Sequence, residues 1–195
     1  MSDIKTEDVK ALREQTGISI MQCKKALEEA GGDAEKAIVI LQRKSKETAA
    51  KKAERELGAG VVQAYIHNTN TVGAMVELSC ETDFVANNEE FKQLAYDIAM
   101  HITAENPQYM TKEEISDTDR AKVEEVLKSE LEGTPEDKRD QIMQGKLDAY
   151  FKGGVLLEQS FVKNPDLTIA NLIESAIQKF GENINVTRFT RFSIK

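Results

Sequence analysis

Cysteine is scarce in this chain. Its 195 residues hold only Cys23 and Cys80, with no Cys-x-x-Cys spacing, and only two histidines. That excludes a disulfide framework and a structural zinc site, and leaves two buried, reduced thiols as the expectation. Long apolar runs are missing too: none approaches the ~20 residues of a membrane span, so no membrane association is expected. Met1 to Glu7 shows no basic-then-apolar export pattern, and a cytoplasmic setting is the expectation. Positive charge is in deficit, with 26 Lys and Arg against 34 Asp and Glu and a net charge of −8. Such a chain lacks the clustered cations that displace counterions from phosphates, so its partner should be a protein rather than a nucleic acid. No Gly-rich phosphate loop ending in Lys-Ser/Thr occurs, so the chain does not read as a GTPase, and nothing in it calls for a cofactor. No internal repeat is present.

What is present divides into three stretches. Residues 1–43 read as a bundle of three short helices that resembles the ubiquitin-associated fold. Thr6 is placed to cap the first helix and Gly17 to end it; Ser19 with Gln22 reads as a capping box, with Ile18 and Cys23 at staple positions. Gly31-Gly32 ends the second helix, and Asp33 caps a third whose Ala34, Ala37, Ile38 and Leu41 form one apolar stripe. Residues 44–56 are crowded with Lys, Arg, Glu and Ala and read as a charged helical linker; the acids within it make a solvated face a better reading than an RNA contact.

Residues 57–195 read as an α+β core with a small, mainly antiparallel sheet. Val62, Ala64 and Ile66 alternate with Gln63, Tyr65 and His67. After Asn68-Thr69-Asn70-Thr71, Ala74, Val76 and Leu78 alternate with Met75 and Glu77, predicting a hairpin with one buried face. Phe91, Leu94, Ala95, Ile98 and Ile102 predict a helix ending before Pro107. Thr111 with Glu114 predicts the start of a second helix, and Thr134-Pro135 the start of a third that carries Ile142, Leu147, Tyr150 and Phe151, the two pairing around Gly133. Val155–Phe161 reads as a strand, Leu167–Phe180 as a helix, and Ile184–Ile194 as a strand with a bulge near Phe189.

The most informative stretch is Thr82-Asp83-Phe84-Val85, an acid beside an aromatic between a strand and a helix that Asn87 and Glu90 are placed to cap. On pattern alone Phe84 packs inward beside Val85 while Asp83 caps a turn. His67 reads as a solvent-facing strand residue, and Ile20 and Met21 belong to the bundle core. Cys80 continues the face of Val76 and Leu78. A nucleophile–base pairing of Cys80 with His67 lacks an orienting third group and an oxyanion site. Asn185-Val186-Thr187 fits a glycosylation acceptor only by accident of spacing.

Cys80 through Phe91, Leu12-Arg13-Glu14-Gln15-Thr16-Gly17 with Met21-Gln22-Cys23-Lys24-Lys25-Ala26-Leu27, Gly31-Gly32-Asp33, and Gly181-Glu182-Asn183-Ile184 together resemble the elongation factor Ts family. Members are guanine nucleotide exchange factors for elongation factor Tu in protein biosynthesis. The resemblance implies a protein that is not an enzyme in the bond-breaking sense. It would bind elongation factor Tu in its GDP-bound and nucleotide-free states. Thr82, Asp83, Phe84 and Val85 would wedge between helices of the partner and disturb its magnesium and phosphate region. Arg13, Ile20, Met21 and Lys24 would dock the partner's nucleotide domain, with Ile20 standing where the family often has a second methionine. Tyr65-Ile66-His67 is similar to a segment that long members carry in a second core half. This chain has length for one core unit, so His67 and the Asp83-Phe84 pair are expected to reach one partner from two subunits of a homodimer. The rival readings are a scaffold without exchange activity and a cysteine hydrolase.

Overall fold

The computed structural model describes residues 4–131 and 135–194. Helices α1 (Thr6–Thr16), α2 (Ile20–Glu29) and α3 (Ala34–Lys52) come first. Their burial of Val9, Leu12, Ile18, Cys23, Ala26, Leu27, Ala37 and Leu41 makes a core separate from the rest. The punctuation is largely as expected. Gly17, at φ +68°, closes α1 by donating its N–H to Arg13 O, and Gly31 and Gly32 take positive φ after α2. Ser19 accepts from the Gln22 N–H and Asp33 from the Lys36 N–H. Only half of the predicted capping box forms, because the Gln22 side chain accepts from the Ser19 hydroxyl instead of reaching the backbone. At α1 the expectation shifts by one residue: Lys5 holds the cap position, and Thr6 is already helical with no cap bond to make.

The charged stretch after residue 43 is continuous with α3. Its Lys, Glu and Ala favour helix, and no Gly or Pro interrupts before Gly58. The 19-residue helix, about 28 Å long at ~1.5 Å per residue, lays its C-terminal half on the core. Ser45 there is buried and hydrogen-bonds Gln178, Ala49 packs on the sheet-side core, and Lys52 donates to Gly181 O at 2.7 Å.

Strands β1 (Ala59–Ile66), β2 (Val72–Cys80) and β5 (Ile184–Ser193) form one antiparallel sheet in the order β1-β2-β5, confirming the α+β class. Ala74, Val76 and Leu78 point into the core as expected, but the predicted inner set of β1 is reversed. Val61, Gln63 and Tyr65 stand opposite Leu78, Val76 and Ala74, and paired residues share a face, so Val62, Ala64 and Ile66 face solvent. In β5 the register slips between Arg188 and Val186, which puts the bulge at Thr187, two residues before the expected position.

Between the strands lie α4 (Asp83–Ala86), α5 (Glu89–Glu105), α6 (Asp117–Lys128), α7 (Glu136–Lys152) and α8 (Ile169–Phe180), with a two-stranded sheet of β3 (Ser160–Phe161) and β4 (Asn164–Thr168). Phe91, Ala95, Ile98 and Ile102 of α5 and Ile169, Ile173 and Ile177 of α8 are buried with the inner sheet face. Four expectations change. The helix predicted from Thr111 opens with a single 3-10 turn; α6 starts at Asp117, capped by Ser116 through Asp119 N–H. Pro135 sits at the cap of α7 rather than its first position, and Gly133 and Thr134 lie outside the described residues. Val155–Phe161 is mostly a 3-10 turn, leaving two residues of strand. The segment from Leu167 begins as β4, and α8 starts at Ile169 behind a reciprocal Thr168–Asn171 capping box.

Candidate partner-binding surface

β2 ends at Cys80, and the chain turns immediately into α4, one helical turn over Asp83–Ala86. This turn sends its side chains two ways. Val85 is 3% exposed and Ala86 is also buried, whereas Phe84 is 85% exposed and Asp83 beside it is exposed too. The inward-packing reading of Phe84 is therefore overturned; Val85 and Ala86 do the anchoring. Phe84 stands out because a large aromatic in open water forfeits burial that most phenylalanines obtain.

The mount of this turn is polar and tertiary. The Glu182 carboxylate, two residues before β5, accepts from Glu81 N–H (3.1 Å), Thr82 N–H (3.0 Å) and the Thr82 hydroxyl (2.6 Å). Reciprocally, the Glu81 carboxylate accepts from Asn183 N–H at 2.6 Å and meets Arg55 at 3.3 Å, which holds its carboxyl below the usual range. Beneath them the Cys80 thiol donates to Thr82 O at 3.3 Å. Burial, then the nearby Glu182 and Asp83 charges, push that thiol's pKa up. On the far side Asn87 donates to Asp83 O, and Asn88, not Asn87, caps α5 by accepting from Glu90 N–H. The cap shifts by one because Asn87 is already the C-cap of α4.

On the bundle, Ile20 and Met21 are 56% and 68% exposed, so they are not core residues; Cys23, Ala26 and Leu27 fill that role. Arg13 and Lys24 are exposed as well, with Lys24 only 3.9 Å from Glu28. Lys179 of α8 pairs with Glu90 of α5 at 2.8 Å, and its ammonium lies 3.8 Å from where a Cβ on Gly17 would sit. The α1–α2 turn thus lies beside the first turn of α5, close to both Ile20 and Phe84 in the chain.

His67 is not brought to this end. It follows β1 at the Ile66–Gly73 pair, whereas the Asp83-Phe84 turn follows Cys80, paired with Ala59. Seven residue steps at ~3.4 Å separate the two ends by about 24 Å. His67 is exposed, with its Nδ1 3.2 Å from the Tyr65 hydroxyl. The same distance removes Cys80–His67 as a nucleophile–base pair. Cys23 and Cys80 are both free and buried, and among the described residues no cluster of metal-ligating side chains occurs. No helix among them is long and apolar enough to cross a membrane.

Sequence reasoning did not find Glu81, Glu182 and Asn183 as structural partners of the Asp83-Phe84 turn. Gly181-Glu182-Asn183 reads locally as a turn, and only the fold brings it about 100 positions back to Thr82. It likewise missed the outer sheet face, where Val62, Ile66, Met75, Phe192 and Ile194 are all exposed.

Comparison with known proteins matches residues 8–195 to the family model described as Elongation factor TS. A protein named Elongation factor Ts from Thermodesulfovibrio yellowstonii is 50% identical over 192 residues, covering 98% of this chain and 96% of that one. One of the same name from Carboxydothermus hydrogenoformans is 48% identical over 193 residues, 98% of this chain and 89% of the relative. With the exposed Asp83-Phe84 turn and the bundle preceding an α+β core, these matches show that the chain belongs to the elongation factor Ts family.

Proposed function

We propose that this chain catalyses nucleotide exchange on elongation factor Tu by inserting Asp83-Phe84 into its partner and disturbing the magnesium and phosphate site. Family membership carries the coarse role, guanine nucleotide exchange in translation elongation. The observation that supports the mechanism is Phe84 itself, 85% exposed on a turn braced from both sides. Thr82 and Val85 hold it, and Arg13, Ile20, Met21 and Lys24 supply the second contact, with methionine suited to an adaptable apolar fit. No covalent bond is made or broken. The protein binds the GDP-loaded partner, favours a displaced packing in which GDP and magnesium are held weakly, and leaves when GTP restores the other packing. The gain in GDP release is bounded by the ratio of its affinities for the two states.

A homodimer completes the surface. His67 lies about 24 Å from the wedge end of the same sheet, and a second copy would bring its own His67 to the partner beside that wedge. The exposed outer sheet face of Val62, Ile66, Met75 and Phe192 is the apolar surface that such a dimer would bury. The test of the exchange reading is thermodynamic. The chain should bind nucleotide-free elongation factor Tu at least tenfold more tightly than the GDP·Mg form, as measured by calorimetry. Equal affinities for the two forms would leave a scaffold and end the exchange reading.

A further inference from the structure

A single turn such as α4 cannot hold its own shape in water, since isolated helices below about 12 residues are marginal. The direction of Phe84 is therefore imposed from outside. Val85 and Ala86 anchor its inner side apolarly, and Asn87 ties off its end. What fixes its entry is Thr82. This residue holds the cap position of α4 yet makes no side-chain cap bond; its hydroxyl is turned to donate to Glu182. Glu182 also takes both N–H groups of the entry, Glu81 and Thr82, on its other oxygen. Both carboxylate oxygens are engaged, and the bonds are charge-assisted, the stronger kind.

We infer that Glu182 is the positioning residue of the exchange wedge: its carboxylate clamps Glu81 and Thr82 so that Asp83-Phe84 is presented in one orientation before the partner arrives. The inference rests on the proposed wedge action of Phe84. A pre-ordered wedge spares the ordering cost that a mobile aromatic meets on binding. Releasing the clamp leaves Phe84 present and exposed but free to sample several directions.

The test measures fluorescent GDP release from elongation factor Tu with wild type, Glu182→Gln, Phe84→Ala and the double variant. Amide hydrogen exchange is measured on each free protein. Glu182→Gln should lower the acceleration about tenfold, as for loss of one or two charge-assisted bonds, and should have little further effect in the Phe84→Ala background. The Glu81 and Thr82 amides should lose protection while those of α5 and α8 keep theirs. Equal losses with and without Phe84, or unchanged protection at Glu81 and Thr82, would overturn the inference. A Phe84→Ala variant with full activity refutes the wedge reading and takes the inference with it. An impaired Phe84→Ala beside a fully active Glu182→Gln overturns the inference alone. If Glu182→Gln does not fold, Thr82→Val, which removes only the hydroxyl arm, carries the same expectations at about threefold loss.

Discussion

Replacing Phe84 and Val85 one at a time by alanine should separate function from stability across adjacent residues. Phe84 is 85% exposed, so the folded protein gains almost nothing from its ring. A phenylalanine carries roughly 150–250 Å² of surface, leaving about 130–210 Å² available to a partner. At ~25 cal/mol per Å² its complete burial contributes about 3–5 kcal/mol, of which ordering and the retained Cβ leave about 2–4. Phe84→Ala should therefore weaken binding to nucleotide-free elongation factor Tu by about 30- to 1000-fold. Its folding stability should stay within about 0.5 kcal/mol of wild type. Val85, only 3% exposed, behaves oppositely. Val85→Ala should cost about 1–3 kcal/mol of stability, from roughly 0.8 per lost methylene plus a cavity term. Urea unfolding followed by circular dichroism reads stability in this tryptophan-free chain, and calorimetry reads the complex. A Phe84→Ala variant that loses more than about 1 kcal/mol of stability, or keeps full affinity, refutes the reasoning.

Three further outcomes follow from the same geometry. Met75→Glu with Phe192→Glu places charges on the outer sheet face and should convert a dimer to monomer in sedimentation velocity; a wild type already monomeric at working concentration contradicts the dimer proposal. His101 is fully buried in α5, with Nε2 3.0 Å from Gln159 Oε1 and Nδ1 accepting from Val162 N–H at 3.3 Å, so its neutral form is the bonded one. Burial lowers its pKa from 6.5 against weaker opposing effects of Gln159 and Glu105. The unfolded chain is then protonated first, so the stability present above pH 6.5 declines as pH falls below it. A His101→Gln variant should lose less stability than wild type between pH 7 and about pH 5.5 in thermal melts; identical slopes would refute this. Cys23 and Cys80 are buried, and burial raises both thiol pKa values. Alkylation of the native protein should be slow at both and complete in denaturant, and rapid native labelling of either contradicts their placement.

The helix punctuation was legible because caps and stops are local chemistry: Ser19, Asp33, Gly17 and Gly31 each act within three or four residues. The inner face of β2 was legible from alternation, but that of β1 was not. Val61 and Val62 are both apolar, so the phase is set by pairing with β2 rather than by β1 itself. Strand β3 lies inside the expected Val155–Phe161 strand, but β4 escaped because Asn164-Pro165-Asp166 reads as a turn and leaves no apolar period. The wedge was legible as a motif, but not its exposure. That Val85 rather than Phe84 turns inward is set by packing against the core, and the polar mount of the turn, Glu182 and Asn183, lies about 100 positions away, where local pattern cannot bring it near.

The proposed exchange has this chain accelerate loss of GDP from elongation factor Tu through Phe84. Stopped-flow release of fluorescent GDP from magnesium-loaded elongation factor Tu tests it directly. Release should rise with added protein and lose at least tenfold of that rise in Phe84→Ala. Release unchanged by the wild-type chain, or equally fast with Phe84→Ala, contradicts it.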